Sequence, residues 1–254
     1  MIYITGDCHS NFHRFTTDVF PEQKEMTKDD VVIICGDFGG VWYQEDSKHI
    51  NKENYWLNWL EDKPFTTVFV DGNHENFDRL YSYPVKEWNG GLVHEIRPSV
   101  LHLIRGEVFT IEDKKFFAFG GASSHDIADG IIDYQDEDWR EQCELLDKQG
   151  KYMYRVKGLS WWSQELPTKE EMDNGEENLK KHNKKVDFII THSPSASVIA
   201  LLGRGLYEQD ILTMYLEDIK CNTEYTKMFS GHMHINKAIN NKDILLYEQI
   251  IRIN

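Results

Sequence analysis

The chain has 254 residues, of which 40% are hydrophobic and 28% are charged; this is ordinary globular composition and excludes a disordered chain. Its formal net charge of −15 argues against a protein whose main task is to grip a nucleic-acid duplex. No apolar run approaches the roughly 18 residues that span a bilayer, so no membrane partner is expected.

The N-terminus and the cysteines both point to a reducing compartment. The first residues begin directly with a strand-like run and lack the basic start and long apolar stretch of a signal peptide. The cysteines contain no CxxC pair, so neither a thiolate zinc site nor a disulfide framework is indicated. They are Cys8, Cys35, Cys143 and Cys221. We therefore expect reduced thiols and a cytoplasmic location.

The first third of the chain alternates between strand-like and helix-like segments. Strands are predicted over residues 2–5, 31–35 and 66–70, where β-branched and apolar residues run together. Helices are predicted over 11–20 and 47–60 from the spacing of their apolar residues. This alternation is typical of an α/β fold, in which ligands gather at the carboxyl ends of the strands.

The rest of the chain changes character twice. Several short strands between residues 90 and 121 predict a meander, so part of the sheet is expected to be antiparallel. Residues 123–185 are acidic and polar, and predict a largely helical insertion with one strand near 151–156. A strand over 186–190, a helix over 208–219 and two short closing strands follow. No repeat or flexible linker interrupts the chain, so one domain covering its full length is predicted.

Five polar islands follow predicted strands. They are Gly6-Asp7-Cys8-His9, Gly36-Asp37, Gly72-Asn73-His74-Glu75, Thr191-His192 and Gly231-His232-Met233-His234. Their Asp, His, Asn and Glu side chains are ligands that suit divalent metals. Asp7 and His9 are two residues apart, as are His232 and His234, and in an extended segment such pairs point to one side.

The islands contain more ligands than one metal ion takes. Two ions that share a bridging carboxylate would use them, and two ions about 3.5–4 Å apart are the usual clamp for phosphoester hydrolysis. Such ions turn bound water into hydroxide near neutral pH. His74 directly follows Asn73, so its side chain is expected to point away from the ion yet lie near the substrate, which suits a general acid.

In order and rough spacing, the five islands resemble the motifs of the calcineurin-like metallophosphoesterases across nearly the whole chain. The resemblance implies a four-layer αββα sandwich, a mixed α/β fold of two sheets flanked by helices, acting on a phosphoester substrate. It also implies two divalent transition-metal ions, Mn, Fe or Zn. The implied roles place the first metal on Asp7, His9 and His234, the second on Asn73, His192 and His232, the bridge on Asp37, and acid catalysis or transition-state stabilisation on His74.

The chain departs from the protein phosphatases of this family. Those enzymes carry an Asp-Arg pair shortly after the second Gly-Asp, and neither residue follows Gly36-Asp37 here. Arg204, in a glycine-flanked loop after His192, is a candidate replacement that would contact the substrate. His125, which follows a strand-like segment, is a second candidate for the cleft.

Two hypotheses of different class remain from the sequence. The first is a phosphoester hydrolase, with a protein phosphatase and a nucleotide phosphodiesterase both open as substrate classes. The second is a non-catalytic, metal-binding interaction scaffold. A scaffold would be expected to lose ligands or the acid, and this chain keeps all seven ligands and His74.

Overall fold

The structure is a computed structural model that describes residues 1–203 and 209–253. The strands are β1 (Ile2–Thr5), β2 (Val31–Ile34), β3 (Thr66–Phe69), β4 (Val85–Trp88), β5 (Gly91–Arg97), β6 (Val100–Leu103), β7 (Glu107–Ile111), β8 (Lys114–Phe119), β9 (Gly130–Asp133), β10 (Tyr154–Lys157), β11 (Phe188–Thr191), β12 (Lys227–Ser230), β13 (Lys237–Ala238), β14 (Asp243–Leu245) and β15 (Ile251–Arg252). The α-helices are α1 (Ile50–Glu61), α2 (Phe77–Leu80), α3 (Trp139–Lys148), α4 (Lys169–Lys181), α5 (Ala196–Gly203) and α6 (Ile211–Asn222).

Two large sheets have parallel centres and antiparallel edges. The first has the order β15-β1-β2-β3-β6-β5-β4, and β1, β2, β3 and β6 are parallel to one another. The second has the order β13-β14-β12-β11-β8-β7, and β14, β12, β11 and β8 are parallel. Because parallel strands end at the same edge of a sheet, the islands after β1, β2 and β3 are brought together, as are those after β11 and β12.

Three apolar layers separate four layers of secondary structure. The central layer lies between the sheets, where Ile4 and Ile33 of the first pack with Ile190 of the second. On the outer face of the first sheet, α1 contributes Leu57. On the outer face of the second, α4 and α6 contribute apolar side chains such as Leu216. The strands β1–β3 are buried on both faces, which is why they read as runs of apolar and β-branched residues. The predicted αββα sandwich is confirmed.

The helix predicted over 11–20 is wrong. The structure has two short 3₁₀ turns instead, His13–Phe15 and Pro21–Glu25. Val19, which would share the inner face of such a helix, is 62% exposed. Pro21 disfavours the helical conformation at the residue before it, and Phe20 accordingly lies outside the helical region, at φ −124° and ψ 72°.

Residues 123–185 contain more than the predicted helices. They include the small parallel sheet of β9 and β10, the peripheral helix α3, and α4, which packs on the second large sheet. The Trp162 Nε1–H donates to Asp78 over 2.8 Å, and the Gln44 side chain donates to the Gly158 carbonyl over 2.7 Å. These bonds attach the segment to the first sheet's loops; its organisation with the rest as one domain stays a prediction.

Within residues 1–203 and 209–253, none of the helices combines the length and the apolar character that crossing a membrane requires.

Candidate metal centre

The five islands meet at the carboxyl ends of the central strands. Ligand atoms of Asp7, His9, Asp37 and His234 all lie within 4.8 Å of one another, and we name these residues cluster 1. Ligand atoms of Asp37, His192 and His232 satisfy the same limit, and we name them cluster 2. Asp37 belongs to both clusters.

Cluster 1 is built from imidazole nitrogens and carboxylate oxygens. His9 Nε2 lies 3.0 Å from His234 Nε2 and 3.6 Å from Asp37 Oδ2. His234 Nε2 lies 3.2 Å from Asp7 Oδ2. Asp7 is fully buried, and its carboxylate also accepts a hydrogen bond from the backbone N–H of His232 over 2.9 Å. The first and last islands are thereby joined directly.

In cluster 2, His192 is held in one orientation. Its Nδ1–H donates to the Cys35 carbonyl over 2.8 Å, which leaves Nε2 directed at Asp37 Oδ1, 3.3 Å away. A backbone carbonyl on the second ring nitrogen is the usual partner of a metal-binding histidine, because it sets the tautomer and the ring orientation.

Asn73 has a buried side chain and directly follows Gly72, which lies against Asp37 and His192 of this cluster. Its amide Nδ2 donates to Ser124 Oγ over 3.5 Å. Within the described residues, Asn73 Oδ1 is buried and has no hydrogen-bond partner, and the buried His192 Nε2 faces the Asp37 carboxylate at 3.3 Å without hydrogen-bond geometry. Buried polar atoms are nearly always paired, so these two atoms call for a further partner. A divalent cation fits, since amide oxygen, imidazole nitrogen and carboxylate oxygen all coordinate such ions.

The backbone that carries the candidate ligands is strained. His9, Asp37, His232 and His234 have φ values of 47°, 45°, 65° and 50°, in the left-handed region that residues with a Cβ rarely adopt. The pairs Asp7–His9 and His232–His234 therefore converge through tight turns, and the extended geometry expected for them is wrong. Such strain costs about 1–3 kcal/mol per residue and concentrates at functional sites.

Gly36 and Gly231 make room for ligands of other islands. A Cβ on Gly36 would lie 2.3 Å from the ring of His192, and a Cβ on Gly231 would lie 2.2 Å from Asp7 Oδ1. Contacts under 3 Å essentially never occur for real Cβ atoms. The Gly that precedes the ligand in each of these two islands is therefore a packing requirement of the assembled site.

The electrostatics of the site favour positive charge. Burial would raise the pKa of Asp37, but the neighbouring His192 outweighs this and holds that pKa well below its usual range. Burial would lower the pKa of His192, but Asp37 and Asp7 raise it to about 10. Burial, together with the charge of His192, lowers the pKa of His232 to about 3. Two buried carboxylates surrounded by histidines thus form a cation-attracting centre.

His74 lies beside the clusters and belongs to neither. Its backbone N–H donates to Asp37 Oδ1 over 2.9 Å, and its ring centroid lies 4.8 Å from that of His9. The ring of Trp42 stacks on the His74 ring, with centroids 5.7 Å apart. Burial lowers the pKa of the His74 side chain. The ring of His74 thus contacts both His9 and Trp42.

Of the two residues predicted to contact the substrate, the structure describes only His125. His125 Nε2 lies 2.9 Å from His232 Nε2, so His125 adjoins cluster 2. Arg204 lies outside the described residues.

Several residues that support the site carried no recognised role in the sequence. Glu75 is fully buried and accepts hydrogen bonds from the backbone N–H groups of Phe38 and Gly39, which fixes the loop after Asp37. Arg14 donates to the Asp7 carbonyl over 2.6 Å. Glu75 follows an island and could have been noticed there, whereas Arg14 has no local signal because its partner is set by the fold.

A mixed two-sheet sandwich with Asp, Asn and His clusters at the carboxyl ends of its strands defines the class of metal-dependent phosphoesterases. The chain belongs to the calcineurin-like phosphoesterase family, whose profile matches residues 1–236. The predicted family is confirmed.

The chain is also similar to lariat debranching enzymes. Over 97 residues the chain is 31% identical to lariat debranching enzyme A of Xenopus laevis, a match that covers 34% of this chain and 18% of that protein. Over 144 residues it is 23% identical to the lariat debranching enzyme of Danio rerio, covering 52% and 24%. The matches thus span less than a quarter of either relative.

The fold also resembles the crystal structure of a putative 5′-nucleotidase from Staphylococcus aureus in complex with alpha-ketoglutarate. The alignment covers 97% of this chain and 48% of the nucleotidase chain. At 15% identity and a TM-score of 0.43, this likeness supports no argument about function.

Proposed function

We propose that this chain is a dinuclear metal-dependent phosphoester hydrolase. One observation carries the proposal: the two oxygens of Asp37 are divided between the clusters. Oδ2 faces His9 of cluster 1 at 3.6 Å, and Oδ1 faces His192 of cluster 2 at 3.3 Å. A carboxylate placed in this way suits a bridge between two ions better than a ligand to one.

The proposed first site consists of Asp7, His9, Asp37 and His234, and the proposed second site of Asp37, Asn73, His192 and His232. Mn, Fe and Zn all suit these ligands. Bound there, two divalent ions would neutralise charge on the phosphoryl oxygens and supply the activated water that attacks phosphorus.

His74 is the proposed general acid for the leaving oxygen. Its ring packs against His9, which places it next to the first site, and Trp42 limits the directions in which it can swing. Because burial lowers its pKa, a protonated His74 would release its proton readily to a developing alkoxide. His125, beside His232, is the proposed contact to the substrate on the opposite cluster.

The substrate is proposed only as a phosphoester. Protein phosphomonoesters and nucleotide phosphodiesters are both candidates. Since the named relatives are lariat debranching enzymes, a lariat belongs in any substrate panel.

The decisive experiment is a metal-replete panel. The purified protein is assayed with Mn²⁺, Fe²⁺, Zn²⁺, Ni²⁺ and Co²⁺ against aryl phosphate monoesters and diesters, with and without a chelator. We expect turnover with at least one metal and its loss on chelation. Metal binding without turnover on any ester would instead favour the non-catalytic scaffold.

A further inference from the structure

A cavity of about 300 Å³ borders the proposed first metal site. His9 lines the cavity and also belongs to cluster 1, so a group bound in the cavity lies one side chain away from the clusters. The volume is at the lower end of small-molecule sites, which suits part of a substrate rather than a long polymer. No residue of this cavity beyond His9 has a role in the reaction proposed above.

We propose that this cavity binds the nucleoside portion of a phosphoester substrate, placing its phosphoryl group at the clusters. The inference rests on the proposed function and adds a substrate class to it. Three properties of the lining support it: aromatic walls, a rigid backbone and one lysine at the rim.

The walls are aromatic and partly accessible. Tyr43 and Trp56 line the cavity with half-buried side chains, and the exposed His13 lies against Trp56 with ring centroids 5.3 Å apart. The flat ring of a base stacks on such side chains, and one base stacked on one aromatic side chain contributes about 1–3 kcal/mol to the free energy of binding. Asn11 at the edge adds an amide that can contact the polar rim of a base or a sugar.

The backbone on one side of the cavity is held by a buried carboxylate. Glu53 accepts hydrogen bonds from the backbone N–H groups of Trp42 and Tyr43 over 2.8 and 2.9 Å. Its other oxygen pairs with Arg79 over 2.6 Å. Because Arg79 balances the charge of Glu53, the carboxylate can rigidify the wall without repelling an anionic substrate.

Lys52 supplies positive charge at the rim. Among the described residues that line the cavity, it is the one with a permanent positive charge, and it is exposed. Lys52 forms no ion pair with any residue in the ranges 1–203 and 209–253. In a chain of net charge −15, this lysine is placed to attract the phosphate of an incoming nucleotide.

The test compares two diesters with the same leaving group: the p-nitrophenyl ester of thymidine 5′-monophosphate, and methyl p-nitrophenyl phosphate. Both release p-nitrophenolate, so they differ only in the group that would occupy the cavity. We expect a KM about tenfold lower for the thymidine ester, from one stacking contact. Equal KM values with measurable turnover of both esters would overturn the cavity assignment. No turnover of either ester with any metal would overturn the proposed function itself.

Matched variants locate the effect. Trp56→Leu and Asn11→Ala should each reduce the preference for the thymidine ester, whereas Trp56→Phe should keep most of it. Lys52→Ala should instead raise the KM of both esters alike, because both carry the phosphate. Trp59→Leu on the same helix and Lys48→Ala just before it are the controls, since neither residue lines the cavity. Asn11 is exposed, so its variant tests the proposal even if Trp56→Leu fails to fold. A preference unchanged in Asn11→Ala and Trp56→Leu would overturn the assignment.

Inhibition distinguishes a free nucleotide from a strand end. Thymidine 5′-monophosphate and a short oligothymidylate are each added as competitors of the thymidine ester. Competition by the mononucleotide assigns the cavity to small nucleotides, and stronger competition by the oligomer assigns it to the end of a strand. Competition by neither overturns the proposal.

Discussion

The backbone N–H of His74 donates a hydrogen bond to Oδ1 of Asp37 over 2.9 Å, so the proposed general acid is attached to the proposed bridging carboxylate. The same oxygen lies 3.3 Å from His192 Nε2. Asp37 thus couples the position of His74 to the second cluster. The two residues nevertheless have separable roles, because the bond to Asp37 comes from the backbone of His74 and leaves its ring free.

That separation can be measured by substitution. Asp37→Asn should lose most bound metal and most activity, since it removes the carboxylate charge shared by both clusters. His74→Asn should keep both metals while kcat falls about 10²–10⁴-fold, the usual contribution of a general acid. Metal content by mass spectrometry and kcat on the same samples give the comparison.

Comparing substrates with different leaving groups tests the acid role of His74 directly. p-Nitrophenolate needs little protonation, so His74→Asn should impair an alkyl phosphoester far more than a p-nitrophenyl ester. An equal loss on both esters would contradict the acid role, and loss of both metals would show that His74 supports the metal centre instead.

Ser124 should matter for metal binding although it is not itself a candidate ligand. Its hydroxyl accepts a hydrogen bond from Asn73 Nδ2 over 3.5 Å, which restricts the orientation of that amide. Residues that orient ligands typically change metal affinity 10–100-fold, so Ser124→Ala should weaken the second metal by about tenfold. The neighbouring Ser123, which bonds to Asp210, is the control. Metal titration by calorimetry should show one weakened site; unchanged affinity would contradict the role.

Gly36 and Gly90 offer a matched pair of glycines. Their φ values are 86° and 88°, but a Cβ on Gly36 would overlap His192, whereas nothing lies within 4 Å of one on Gly90. Gly90→Ala should cost about 1–2 kcal/mol from backbone strain alone. Gly36→Ala should destabilise the fold by about a further 1–3 kcal/mol, because the added methyl group overpacks the site. It should also lose metal, because it displaces His192. Urea unfolding and metal content test both, and equal effects would contradict the close-approach argument.

Glu165 should make the folded state less stable as the pH rises. Burial raises the pKa of its carboxyl from 4.5 to about 7. Below pH 4.5 the group is protonated in both folded and unfolded states, and its ionisation penalises the folded state progressively between about pH 4.5 and 7. The full pKa shift corresponds to a loss of roughly 3 kcal/mol in the free energy of unfolding.

Glu165→Gln removes this titration. Relative to the wild type, the variant's free energy of unfolding should increase between pH 5 and pH 8. The exposed Glu170→Gln should show no such change. Urea unfolding of all three proteins under the same metal-free conditions makes the comparison, and a difference that does not vary with pH would refute the expectation.

The helices and strands show where local pattern suffices. The strands β2 and β3 were predicted to within one residue, because strands covered on both faces are rich in apolar and β-branched residues. The segment after His9 was misread as a helix, since its apolar spacing is helical while the backbone becomes extended at Thr16, with ψ 152°, after a tight turn at His9 and Ser10. The turn and the course of the chain around it depend on contacts with the Asp37 loop, which lies far away in sequence.

By itself, the sequence determined the seven candidate ligands, the position of His74 and the strand ends that carry them. It could do so because each island is local and parallel strands deliver their ends to one edge. Only the tertiary structure decided how the oxygens of Asp37 divide between two clusters, how Ser124 meets Asn73, and that a cavity opens beside His9. Each of these is a contact between residues from distant segments, and such contacts exist only once the sheets have packed.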